Sequence, residues 1–151
     1  MAWDTSAGAT FSLAQNSAMP ATFDAAGYAA LSWVEVAEVT NIGEFGKEFA
    51  LVSHQPLSKR GVAKRKGSYN NGTLNPALAM DMEDDGQQLL AQAAESDDPW
   101  PIRVQTKRGV TFYMVGLVMS FRPNIGEADS VITASPTIEL DNPALIRVDP
   151  V

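Results

Sequence analysis

The sequence predicts an α+β domain, mainly β, built as a sandwich or barrel with one flanking α-helix and a long loop or hairpin arm. Three observations carry that class. Short runs of alternating apolar residues recur along the chain, one stretch alone has a clear helical period, and one cationic segment is nearly free of apolar side chains. With 151 residues, 45% of them hydrophobic, one compact core is possible and two are not, so residues 1–151 are read as a single domain.

Thr10 to Gln15 alternates with Phe11 and Leu13 on one face, as a half-buried strand does, and residues 16–20 break it. Phe23 to Leu31 is alanine-rich behind Asp24 and reads as a short helical turn, weakened by Gly27. Trp33 to Thr40 is strand-like, with Trp33 expected in the core. Its alternation slips between Val36 and Val39, which predicts a bulge near Ala37 and Glu38. A turn over residues 41–46 leads into a strand from Glu48 to Ser53, with Phe49 and Leu51 on one side.

Five of the eleven basic residues follow within eight positions: Lys59, Arg60, Lys64, Arg65 and Lys66. Such a segment has too little apolar surface to pack by itself, so about residues 57–73 are expected to form a mobile arm. Asn71-Gly72 has the chemistry of a tight hairpin turn. Tyr69 is the one aromatic near these cations. Leu74 to Met80 then re-enters the sheet, with Pro76 marking an edge or bulge.

The helix is expected over about residues 85–95. Asp84 followed by Gln87 matches a capping box, in which each side chain satisfies the other residue's free backbone donor. Leu89, Leu90, Ala93 and Ala94 form one apolar stripe, and Asp97-Asp98-Pro99 stops the helix. Beyond it Ile102 and Val104 alternate with polar residues, and Gly109 turns the chain. Val110 to Phe121 is apolar on both faces: Phe112, Met114 and Val118 on one, Tyr113, Val115, Leu117, Met119 and Phe121 on the other. Such a strand is covered on both sides, by the helix, a second sheet or a neighbouring subunit. The last strand, Val131 to Leu140, turns Ile132, Ala134, Ile138 and Leu140 inward, with Pro136 marking an edge or bulge.

No catalytic constellation emerges. His54 is the only histidine, and adjacent strand residues face opposite ways, so Ser53 and His54 do not make a dyad. The acidic run from Asp81 to Asp85 lacks the spacing of a calcium loop and suits a helix N-terminus. Neither phosphate-binding glycine pattern is present, and without cysteine there is no thiolate metal site, so no cofactor is expected. Trp3 and Trp100 fall at element ends, where an interface role is expected. Met1-Ala2-Trp3-Asp4 opens with neither a basic nor an apolar region, and no run nears the roughly 20 apolar residues of a membrane span.

The net charge of −7 conceals a division. Outside the five clustered cations the chain has six basic and eighteen acidic residues, a balance of −12. An acidic body repels DNA at long range, whereas a cationic arm seeks an acidic partner. Arm-to-body attraction between identical copies is head-to-tail, and contacts of that kind generate rings or open stacks.

The chain resembles the major tail tube proteins of siphophages. Phe23-Asp24-Ala25-Ala26-Gly27-Tyr28, then Trp33 to Val36 and Val39-Thr40-Asn41-Ile42-Gly43, are similar to that family's N-terminal section. Asp85-Gly86-Gln87 with Leu90 and Ala94 resembles its helix, and Phe112 to Val118 with Asp129 to Leu140 its closing hairpin. Asp141-Asn142-Pro143 departs from the glycine turn of the pattern. The resemblance implies a β-sandwich flanked by one helix, assembling as hexameric rings stacked into a virion tail tube. The arm would reach an adjacent ring, and DNA would transit an acidic lumen without specific binding during ejection. It also implies synthesis in the host cytoplasm, and tail terminator, baseplate or tail-tip and tape-measure proteins as partners. A tail terminator, a secretion-system tube protein and a non-polymerising β-sandwich decoration or interaction module are the alternatives.

Overall fold

The computed structural model describes residues 3–15, 20, 22–141 and 145–150. The expected break at 16–20 and the departure at 141–143 fall mostly outside these residues. The element order is β1 (Thr10–Leu13), α1 (Ala25–Ala29), β2 (Val34–Glu35), β3 (Val39–Asn41), β4 (Glu48–His54), β5 (Ala63–Asn70), β6 (Thr73–Leu74), β7 (Ala77–Ala79), α2 (Asp85–Glu95), β8 (Trp100–Gln105), β9 (Thr111–Asn124), β10 (Thr133–Leu140) and β11 (Ile146–Val148). The fold is mainly β, as expected.

Nine strands form one antiparallel sheet with the path β2-β1-β8-β9-β10-β7-β3, where β11 adds to β9 and β6 to β10. Edge strands β2 and β3 are joined by only residues 36–38, a link that spans at most about 14 Å of extended chain. The sheet therefore curls until its two edges approach. The bulge expected at Ala37 and Glu38 is a turn that divides one apparent strand between opposite edges, with Glu38 at φ 63°.

The concave face carries the main core, including Phe11, Leu90, Ile102, Met114, Val118 and Ile138. Helix α2 packs onto this face through Leu89, Leu90 and Ala93. Its bounds are those the sequence predicts, and Asp84 caps it by accepting from the Gln87 N–H at 3.0 Å. The reciprocal half of the capping box does not form. Gln87 is fully buried, and its amide ties three separate segments together: Nε2 donates to the carbonyls of Ala37 and Ala79, and Oε1 accepts from the Asp81 N–H. The second Asp84 role is equally non-local, since Oδ2 also accepts from Ala37 N–H at 3.0 Å. The pair read as a local cap thus holds the corner where the sheet edges meet. Gly86 belongs to the same joint, because a Cβ there would collide with the Glu35 carbonyl.

Strand β9 is covered on both faces along its first half. On the convex face Tyr28, delivered by α1, stacks on Tyr113 at 5.1 Å between centroids, and Val115 lies beside them. Asp24 caps α1; hydrogen bonds from Gly27 N–H and the Thr22 hydroxyl hold its carboxyl below the usual carboxylate range. Trp33 belongs to this smaller convex cluster, half-buried, with Nε1 donating to the Tyr28 carbonyl, and not to the main core. Phe121 also changes sides. Ile138 pairs with Val118 but Thr137 with Ser120, so Met119 is an extra residue and every later side chain of β9 flips. Phe121 consequently packs with Met114 and Val118. Phe112 packs edge-on against Phe45 beside the main core, and Leu117 is half-buried.

Candidate assembly surface

Strands β4 and β5 pair only with each other, from Glu48↔Asn70 to His54↔Ala63. The arm therefore begins nine residues earlier than about 57 and is a regular hairpin whose connection is 55–62. The strand expected at Glu48 to Ser53 is one of its two sides, not part of the body. Its alternation was legible, but alternation does not reveal whether a second sheet lies beneath. Every residue of β4 is exposed, and in β5 only Gly67 is partly covered.

Cross-strand partners distribute the cations over both faces, with Leu51 opposite Lys66, Val52 opposite Arg65 and Ser53 opposite Lys64. Lys66 Nζ sits 4.7 Å from the Phe49 ring centre and Lys47 Nζ 4.7 Å from that of Tyr69. The two rings are 5.6 Å apart. Exposed cation–π contacts contribute about 0.5–1 kcal/mol each, which stiffens the lower half of the hairpin. Lys59 and Arg60 lie in the connection at the tip. Among the described residues, none of the five cations lies within 4 Å of a carboxylate; the ion pairs are Arg108–Asp4 and Arg147–Asp149. Leu51 is 67% exposed and Leu57 fully so. An isolated two-stranded hairpin is marginal in water. A hairpin whose apolar and cationic side chains are exposed among the described residues has the composition of a contact surface.

The root of the arm is fixed. Asn71 is buried and donates to the Asp141 carbonyl at 2.6 Å, while its own carbonyl accepts from Gly46 N–H. Gly72, at φ +98°, accepts from Leu140 N–H and makes the bend that releases β5 into β6. Asn71-Gly72 is thus an anchor between the arm and the sheet, not a hairpin turn.

Other sequence-marked residues do not converge on chemistry. His54 ends β4 on the exposed hairpin, paired with Ala63. In the acidic run, Asp81 accepts from Glu83 N–H and Asp84 caps α2; among the described residues no cluster could hold a metal. Trp100 is buried in the core, whereas Trp3 is 67% exposed. Ile132, expected inward, precedes β10 and is 42% exposed. An open cleft of about 770 Å³ lies between the first residues and the loop after β3, lined among others by Asp4, Glu44, Phe45 and Phe112. It has two carboxylates and no nucleophile–base pair.

No protein-family model matches the chain, and no curated protein matches it. Among solved structures, a chain of the six-fold symmetrised cryo-EM structure of the anti-feeding prophage baseplate is similar, with TM-score 0.75 and 10% identity. The match covers 99% of this chain and 97% of that one. The SPP1 tail tube, a hybrid solid-state NMR and cryo-EM structure, is similar with TM-score 0.61 and 9% identity, over 95% and 77% of the two chains. Both are parts of structural assemblies and not enzymes. The chain has the fold seen in a prophage baseplate subunit and in a phage tail tube.

Proposed function

We propose that this chain is a structural subunit of a phage-type tail that catalyses nothing and assembles with its own copies. Rings, hexameric by the resemblance, stack into the virion tube that conducts DNA, and the arm contacts a neighbouring copy. The observation that carries this reading is the hairpin from Glu48 to Asn70, regular and chemically equipped yet pairing with no other strand among the described residues and exposed along nearly its whole length. The fold shared with a tail tube and with a six-fold baseplate supports it. The acidic balance outside the arm suits a lumen through which DNA slides. Tail terminator, baseplate or tail-tip and tape-measure proteins are the proposed partners at the ends and inside.

A second reading is a single ring at the baseplate end. It is favoured by the fuller match to the baseplate chain, 97% of its length against 77% for the tube. Electron microscopy of concentrated purified protein separates the two. Long hollow tubes support stacking, isolated rings support the baseplate reading, and particles of monomer size defeat both.

A further inference from the structure

The arm needs a complementary surface, and the chain has one at the far end of β10 from the arm root. Strand β10 links the two places. Its C-terminal end meets the arm root, where Leu140 N–H donates to Gly72. Its N-terminal end, at Thr133, follows the loop 125–132 that joins it to β9. Seven steps along a strand separate these ends by about 24 Å.

The loop end exposes apolar side chains: Ile125 at 75%, Val131 at 67%, Ile132 at 42% and Met82 at 39%. Met80 N–H donates to the Ile132 carbonyl at 2.8 Å, which brings the segment leading into α2 alongside the loop. The acids Glu83, Asp85, Glu127 and Asp129 therefore rim that patch, all exposed. No lysine or arginine occurs between residues 67 and 102 or between 123 and 146, so Arg122 is the nearest cation in sequence. The arm is apolar and cationic; the loop end, at the far end of β10 from the arm root, is apolar and acidic.

We infer that the hairpin arm of one copy docks on the β9–β10 loop end of the next copy. This rests on the proposed self-assembly and assigns its head-to-tail contact. Leu51 and Leu57 cover Ile125, Val131 and Ile132, while Lys64 and Lys66, on the same face of the hairpin as Leu51, meet the acidic rim and Arg65 adds charge from the other face. The two surfaces differ, so the contact is heterologous, of the kind that generates rings or open stacks.

Charge exchange tests the pairing. An arm variant, K64E/R65E/K66E, and a loop variant, E83K/E127K/D129K, are each expected to raise the critical concentration for assembly by about tenfold or more. The six changes combined in one chain restore it, because an acidic arm then meets a basic loop end. The chain has no cysteine, so paired substitutions give a direct readout. K64C mixed with D129C forms an intermolecular disulfide under oxidation during assembly, whereas K64C mixed with E95C does not. Tubes or rings of the K64C and D129C mixture that lack that disulfide, or single-surface variants that assemble normally, overturn the docking assignment and leave self-assembly standing. A wild-type chain that never assembles defeats the proposed function itself.

Discussion

Replacing Gln87 with alanine tests whether the joint between α2 and the sheet edges organises the fold. The amide makes three hydrogen bonds of 2.8–2.9 Å to Ala37, Ala79 and Asp81. Losing them strands two carbonyls beneath the helix and one N–H at the surface. A stranded buried group costs about 1–3 kcal/mol, and the Asp81 N–H is recovered by water. Ala37 and Ala79 are only partly covered, which places the sum near 3 kcal/mol, with a small addition for the void. For a chain of this size that lowers Tm by roughly 6–12 °C. Urea unfolding followed by far-UV circular dichroism, at concentrations where the protein is monomeric, gives the free energy directly. Q87E removes the donors and buries a carboxylate, so it is expected to be at least as damaging. A loss below about 1 kcal/mol for Q87A, with unchanged slope, would refute the joint and return Gln87 to an ordinary helix position.

Gly86→Ala raises intrinsic helix propensity by about 1 kcal/mol, yet its Cβ collides with the Glu35 carbonyl, so a net loss of at least ~2 kcal/mol is expected by the same assay. Burial pushes the Tyr28 phenol up to about 12 from 10.0. The neutral phenol is favoured in the folded state, so its contribution is complete below pH 10 and is lost as pH rises towards 12, about 2–3 kcal/mol in all. Y28F removes that part of the alkaline slope. Its stability at neutral pH should match or exceed the wild type, since the hydroxyl has no hydrogen-bond partner among the described residues. Leu51→Ser with Leu57→Ser changes monomer stability by less than ~0.5 kcal/mol while weakening assembly, measured by sedimentation across protein concentrations.

Local patterns carried far into this fold, and failures occurred where a distant segment intervened. Helix α2 was legible to the residue because its apolar period and its stop signals are both local. The capping box was half right: Asp84 bonds within its own turn, but Gln87 found better partners in segments that sequence spacing cannot bring together. Strand β9 read correctly as covered on both faces, yet Phe121 was placed on the wrong one. One extra residue at Met119 inverts the alternation, and nothing about a methionine announces a bulge. The division of Trp33 to Thr40 between two sheet edges left only a slipped period as its trace. For the arm, charge identified Lys59 to Lys66, but its first strand looked like part of the body because Phe49 and Leu51 alternate as core residues do. The apolar patch at Ile125, Val131 and Ile132 is not legible in the sequence, since Val131 and Ile132 read as strand, where exposure cannot be told from burial, and Ile125 falls between the two strand runs.

The exposed arm has a kinetic consequence under the proposed stacking. Two free copies meet through a single arm whose side chains are mostly bathed in water, and such a contact is short-lived. A completed ring presents several docking sites at fixed spacing, so each incoming copy that joins its neighbours gains from multivalency that a free pair lacks. Growth from an existing ring then outruns pairing in solution, and assembly shows a lag that preformed seeds abolish. A weak arm in place of a strong one thus decides where polymerisation begins.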